Sequence, residues 1–178
     1  MKRLFAALSL AIIACSFSAC GFIEFNSVVS SALVDNAEVA NNTFQKIITA
    51  VSNRDANAIK KLFSNNVKQQ VDDMDEKISE LFEFIQGDII SYSDAKDRGV
   101  GVSTKTEHGK RRKDIQPCFC LTTSMHTYYF AIRECMVDTF DPNNEGLLSI
   151  YIIDADDWTE AYVYRGDGAW TPGINVVE

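Results

Sequence analysis

Apolar residues change their spacing twice along this chain, and each change marks a change of structure. Residues 4–14, LFAALSLAIIA, hold one polar position, Ser9, behind the basic pair Lys2 and Arg3. An α-helix needs roughly 20 apolar residues to cross a hydrocarbon core, and this run ends too soon, at Ser16 and Ser18. The pattern is that of a secretory signal. Further on, Ala37, Ala40, Phe44, Ile47, Ile48 and Val51 recur at intervals of three and four, which predicts a helix over about 30–52 with one buried face. Asp55 stands where it can cap a short second helix that buries Ile59, Leu62 and Phe63. Val67, Val71, Met74, Ile78, Leu81, Phe82 and Ile85 mark a third helix, with Gly87 as its C-terminal stop. The acidic run Asp72, Asp73, Asp75 and Glu76 falls mostly off that stripe and reads as a solvated face.

After Gly87 the period drops to two, and β-branched and aromatic residues alternate with turn signals. Strands are predicted near 88–92, 99–104, 116–124, 128–139, 146–154 and 161–164, with a last one at 169–177. Three helices followed by an antiparallel sheet predict an α+β fold with the helices on one face.

Composition narrows this picture. A chain of 178 residues, 46% of them hydrophobic, is globular and of a size for one core. At the end of the apolar N-terminus, Phe17-Ser18-Ala19-Cys20 resembles the lipobox of bacterial lipoproteins, in which a cysteine is acylated and the signal is cut off before it. Ile12-Ile13-Ala14-Cys15 is a second tetrad, but it would leave a very short apolar region. The expected organisation is therefore a signal over 1–19, a lipidated tether over 20–30 starting at Cys20, and one domain over 31–178. Several acyl chains on one residue anchor stably where one chain holds only marginally. The expected location is the extracytoplasmic face of the cell membrane. Loss of Lys2 and Arg3 leaves 15 basic against 25 acidic residues, a balance that repels nucleic acid.

The segment ITAVSNRDANAIKKLFSNNV, Ile48 to Val67, resembles the start of NTF2-like domains. LFEFIQGDIISY, from Leu81, and EGLLSIYIID, from Glu145, are similar to an uncharacterised group of lipoproteins from gut-type Gram-positive bacteria, known only as a domain of unknown function. The resemblance implies a cone of three N-terminal helices packed on a curved antiparallel sheet. It also implies a pocket of variable ligand and a homodimer through the open sheet face. Inward strand positions would line such a pocket, with Tyr92, Tyr129, Arg133 and Asp154 as its candidate polar members.

The remaining motifs have bland readings beside sharp ones. Asp141-Pro142-Asn143-Asn144-Glu145-Gly146 copies the first half of a calcium loop, but Ile152 stands where a bidentate Glu is required, so a hairpin loop is expected and no metal. Cys118 and Cys120 share one strand face. A tight turn centred between His126 and Thr127 would set Cys118 opposite Cys135, making that pair the candidate disulfide, and a shift of the turn by one residue would destroy it. Lys110 to Lys113 are four consecutive cations expected in a solvated loop, beside His108. Arg165-Gly166-Asp167 reads as a turn. His126 could act as a general base only with a pocket and an orienting carboxylate. No cofactor motif and no placed acid–base pair is visible, so a binding or scaffolding domain is expected ahead of a small isomerase or hydrolase. An apolar, filled cone would speak against the enzyme.

Overall fold

A computed structural model describes residues 35–157 and 170–177 of the chain. Four helices come first: α1 (Asn36–Ser52), α2 (Ala56–Leu62), α3 (Asn65–Gln70) and α4 (Met74–Phe84). A curved open sheet follows, made of β1 (Ile89–Tyr92), β2 (Val100–Glu107), β3 (Lys110–Thr123), β4 (Thr127–Asp138), β5 (Gly146–Asp154) and β6 (Gly173–Val177). One-turn helix α5 (Ala95–Arg98) lies between β1 and β2. The strand order is β1-β3-β4-β5-β6, with β2 also paired to β3, and the fold is α+β as expected.

The helical stripes become the core. Ala37, Ala40, Phe44, Ile47, Ile48 and Val51 of α1 are all buried against the sheet. Asp55 caps α2 by accepting from the Ala58 N–H at 2.9 Å, and Ser64 caps α3 through the Val67 N–H at 3.2 Å. The third stripe is broken where one helix was expected. Val71 is extended and closes α3, and α4 starts three residues later. Val71 packs on Gly173 of β6, where a Cβ would lie 3.2 Å from the valine methyl, and on the main core with the rest of the stripe. The apolar period therefore runs through the break without marking it.

The sheet departs from expectation in three further ways. Lys110 to Lys113 open strand β3, because the turn sits earlier, at His108 and Gly109, both of positive φ (50° and 74°), as a two-residue hairpin requires. The turn between β3 and β4 is two residues earlier than predicted: Thr122 pairs with Thr127, Cys118 with Ala131 and Cys135 with Asp114. The Cys118–Cys135 disulfide is therefore not formed, and both residues are thiols, as is Cys120. Strand β6 runs parallel to β5, so the sheet is not wholly antiparallel. The strand expected at 161–164, the signal, Cys20 and its tether, and Arg165-Gly166-Asp167 lie outside the described residues.

One glycine ties helices to sheet. Gly146 has φ 117°, and a Cβ there would meet the Leu62 carbonyl oxygen at 2.9 Å. That close approach lets the Ser64 N–H donate to the Leu147 oxygen at 3.0 Å, so the α2–α3 junction docks on β5.

Candidate functional site

The interior between the helices and the curved sheet is full. Phe44 of α1 stacks on Phe119 of β3 with ring centroids 4.0 Å apart, and Phe130 of β4 meets Phe44 edge-on at 5.2 Å. All three are at most 1% exposed. Below them Tyr128 is equally buried; its hydroxyl donates to the Phe84 carbonyl and accepts from the Gln86 N–H, at 3.0 and 2.9 Å, which satisfies the end of α4. Burial raises the Tyr128 phenol above its ordinary range.

The four expected pocket residues do not converge. Tyr92 is 43% exposed and meets Phe44 edge-on. Tyr129 and Arg133 lie on the sheet face away from the helices, since Tyr128, Phe130 and Ile132 between them fill the main core. The guanidinium of Arg98 sits 4.6 Å over the Tyr129 ring. Asp154 ends β5 opposite Tyr128, with its Oδ2 2.7 Å from Nδ1 of His126. The imidazole is thus within hydrogen-bond reach of a carboxylate, but His126 lines neither of the two cavities whose walls are described.

Arg133 joins a charge cluster on the outer sheet face. Asp114, 3% exposed, accepts from both Arg112 (2.8 and 3.1 Å) and Arg133 (3.2 and 2.7 Å). Burial would push the Asp114 carboxyl up, yet the two guanidinium groups together hold it below the usual carboxylate range. Arg112 also reaches Asp138 at 3.3 Å. Asp138 accepts in addition from Asn144 Nδ2 and from the Phe140 and Asp141 N–H groups, and is likewise lowered against its desolvation. Beside them the Cys135 thiol is pushed up to about 12, first by burial and then by Asp114, so it is not a nucleophile at neutral pH.

The half calcium loop is absorbed into this framework. Asp141 caps a one-turn 3-10 helix (Pro142–Asn144), and Asn66 of α3 donates to both Asp141 and Asn144 at 2.8 Å. Its oxygens hold α3 to the β4–β5 connection.

Glu134 behaves differently. It follows Tyr128, Phe130 and Ile132 on the helix-facing side of β4, where Thr43 of α1 donates to Oε1 at 3.1 Å and Oε2 is shielded from solvent without a partner. Burial raises its carboxyl; Thr43 and Lys46 offset this only in part.

A ligand-sized space does exist, outside the core. A cleft of about 690 Å³ runs between α1 and α2, lined by Asn42, Gln45, Lys46 and Thr49 on one side and by Ala58 and Lys61 on the other. The small residues Ala50, which is buried, and Ala58 are part of its wall. Sequence reasoning missed it, since exposed positions were read only as the reverse of the core. Thr43, polar within the apolar stripe, was a visible signal for its partner. Glu134 continues the period of two set by Tyr128, Phe130 and Ile132, and that alternation was its signal.

Residues 46–155 match a family described as Domain of unknown function (DUF5104). No curated protein matches the chain.

Proposed function

The chain belongs to the DUF5104 family, and from that premise we propose that it is a membrane-anchored extracytoplasmic lipoprotein whose domain binds a ligand or scaffolds a partner without catalysing a reaction. The observation that carries the anchoring is the order of the N-terminus: basic pair, short apolar run, then Ser18-Ala19-Cys20. In this reading the attachment is a lipid on Cys20; among the described residues no helix is long and apolar enough to cross a membrane. The NTF2-like assignment belongs to the same reading. Its support is the succession of helices and curved sheet around one core, and the parallel β6 is a departure to be explained. Stacked phenylalanines occupy the place of the interior pocket, which favours binding at the outer α1–α2 cleft.

The anchoring is tested by expressing wild type and Cys20→Ala in a lipoprotein-competent bacterium, with intact mass and membrane fractionation as readouts. Acylated, membrane-bound wild type and a released or unprocessed variant are expected. The same soluble, unlipidated product from both would remove the anchor from the account.

The approach of His126 to Asp154 favours a second reading, a small hydrolase or isomerase with the imidazole as general base. Hydrolysis of p-nitrophenyl acetate by wild type, His126→Ala and Asp154→Asn separates the two. Equal rates in all three, at the level of buffer, dismiss the enzyme; a rate lost in both variants revives it.

A further inference from the structure

The α1–α2 cleft presents two lysines from different helices. With 25 acidic against 17 basic residues, the chain carries a formal charge of −8, and several of its cations are held in ion pairs. Lys60 is paired with Asp75, Lys77 with Asp73, Lys105 with Glu107, and Arg112 and Arg133 with Asp114. Lys46 and Lys61, which face the cleft from different helices, make no ion pair among the described residues. The cleft wall has one carboxylate, Asp55, and its Oδ1 is taken by the Ala58 N–H as the helix cap. The amides of Asn42, Gln45 and Asn53 add neutral donors to the two ammonium groups, and Ala50, Ala58 and Leu62 give an apolar floor. Lys46 has one further charged neighbour, the Glu134 carboxyl, which Thr43 of α1 also binds.

Two cations without an ion pair, on separate elements, with flanking amide donors and a single carboxylate in the wall, form a recognition set for a negatively charged group. Lysine is a point charge without a bidentate fork, so the set imposes no fixed planar geometry on the acid it holds. We propose that the cleft binds a small organic anion, a phosphate monoester or a carboxylate, with Lys46 and Lys61 holding the acid group and the amides holding its polar body. This rests on the reading of the domain as a binding module and names the class of its ligand.

Equilibrium dialysis of the full-length protein in detergent tests it, with sn-glycerol 3-phosphate and succinate as the two anionic probes and glycerol as the neutral one. Saturable binding of at least one anion is expected. Its affinity should fall about tenfold or more in the Lys46→Gln, Lys61→Gln double variant, and should hold in Lys68→Gln, a control on α3 away from the cleft wall. Ala58→Trp, which fills the cleft, should abolish it. Glycerol binding that matches the anions and is lost only in Ala58→Trp would overturn the anion class while leaving the cleft as a binding site. No saturable binding of any probe, or anion binding indifferent to both the lysine and the Ala58 changes, would overturn the proposal; in the latter case the cleft falls with it.

Discussion

Asp114 and Glu134 are carboxyl groups on neighbouring strands of one sheet, and they are driven in opposite directions. Both suffer desolvation that disfavours charge. Asp114 receives four hydrogen bonds from two guanidinium groups and ends below its ordinary value. Glu134 receives one from a neutral threonine, keeps an unpartnered oxygen, and ends above. Burial sets the cost of a charge, and the supply of charged donors decides whether the cost is met.

The largest test of this contrast is Asp114→Ala. It leaves Arg112 and Arg133 facing each other on the outer sheet face without their shared anion. Breaking a buried pair in this way costs about 3 kcal/mol, the low end of the usual range because both guanidinium groups are more than a quarter exposed and can rehydrate. Urea unfolding of wild type and variant measures it; a change within error would mean that the cluster is electrostatically idle.

Glu134→Gln should act the other way, stabilising the domain by about 1 kcal/mol at neutral pH by removing a poorly partnered buried charge. The two groups also separate in pH. Asp114, lowered from 3.8, contributes stability that is complete above that value and lost as acid protonates the folded form. Glu134, raised from 4.5, binds its proton more tightly when folded, so stability falls as pH rises above 4.5 towards the folded value. The advantage of Glu134→Gln should therefore be absent below about pH 4.5 and grow above it, read from unfolding midpoints across that range. An advantage that is constant with pH would mean that shape, rather than charge, separates Gln from Glu.

The smallest effect concerns the thiol between the two groups. Cys135 is 2% exposed and raised to about 12, whereas Cys118 and Cys120 are half-buried. Under native conditions at pH 8 a disulfide reagent should modify Cys120 well before Cys135, and mass mapping of the labelled peptides resolves the order. Early labelling of Cys135 would show that the cluster opens.

The same contrast explains how far the sequence could be read. Helix α1, the cap at Asp55 and the strands around Phe119, Phe130 and Ile150 follow from apolar period and turn chemistry, both local. What failed was set by contacts distant in sequence. The chain breaks its helix at Val71, beside Gly173, while the apolar stripe continues, and a turn two residues early moves Cys118 away from Cys135. Arg112, inside a basic run expected to be solvated, finds Asp114 and Asp138 only once β3 and β4 have paired. Of the site, Asp154 and His126 were each visible as residues and their meeting was not. The α1–α2 cleft was hidden because most of its wall lies at exposed helix positions, which the apolar period describes only as the reverse of the core.

The claim on which the functional account turns is that ligands meet this domain at the outer cleft and not within the cone. The most direct measurement is a fragment screen by two-dimensional NMR on the full-length, isotopically labelled protein in detergent, with shifts mapped to residues. Hits that perturb the amides of Asn42, Lys46, Thr49 and Lys61 while leaving Phe44, Phe119 and Phe130 unmoved are the result the account requires. Hits that move the three phenylalanines and leave the cleft silent would show that the core opens to ligand, and would contradict it.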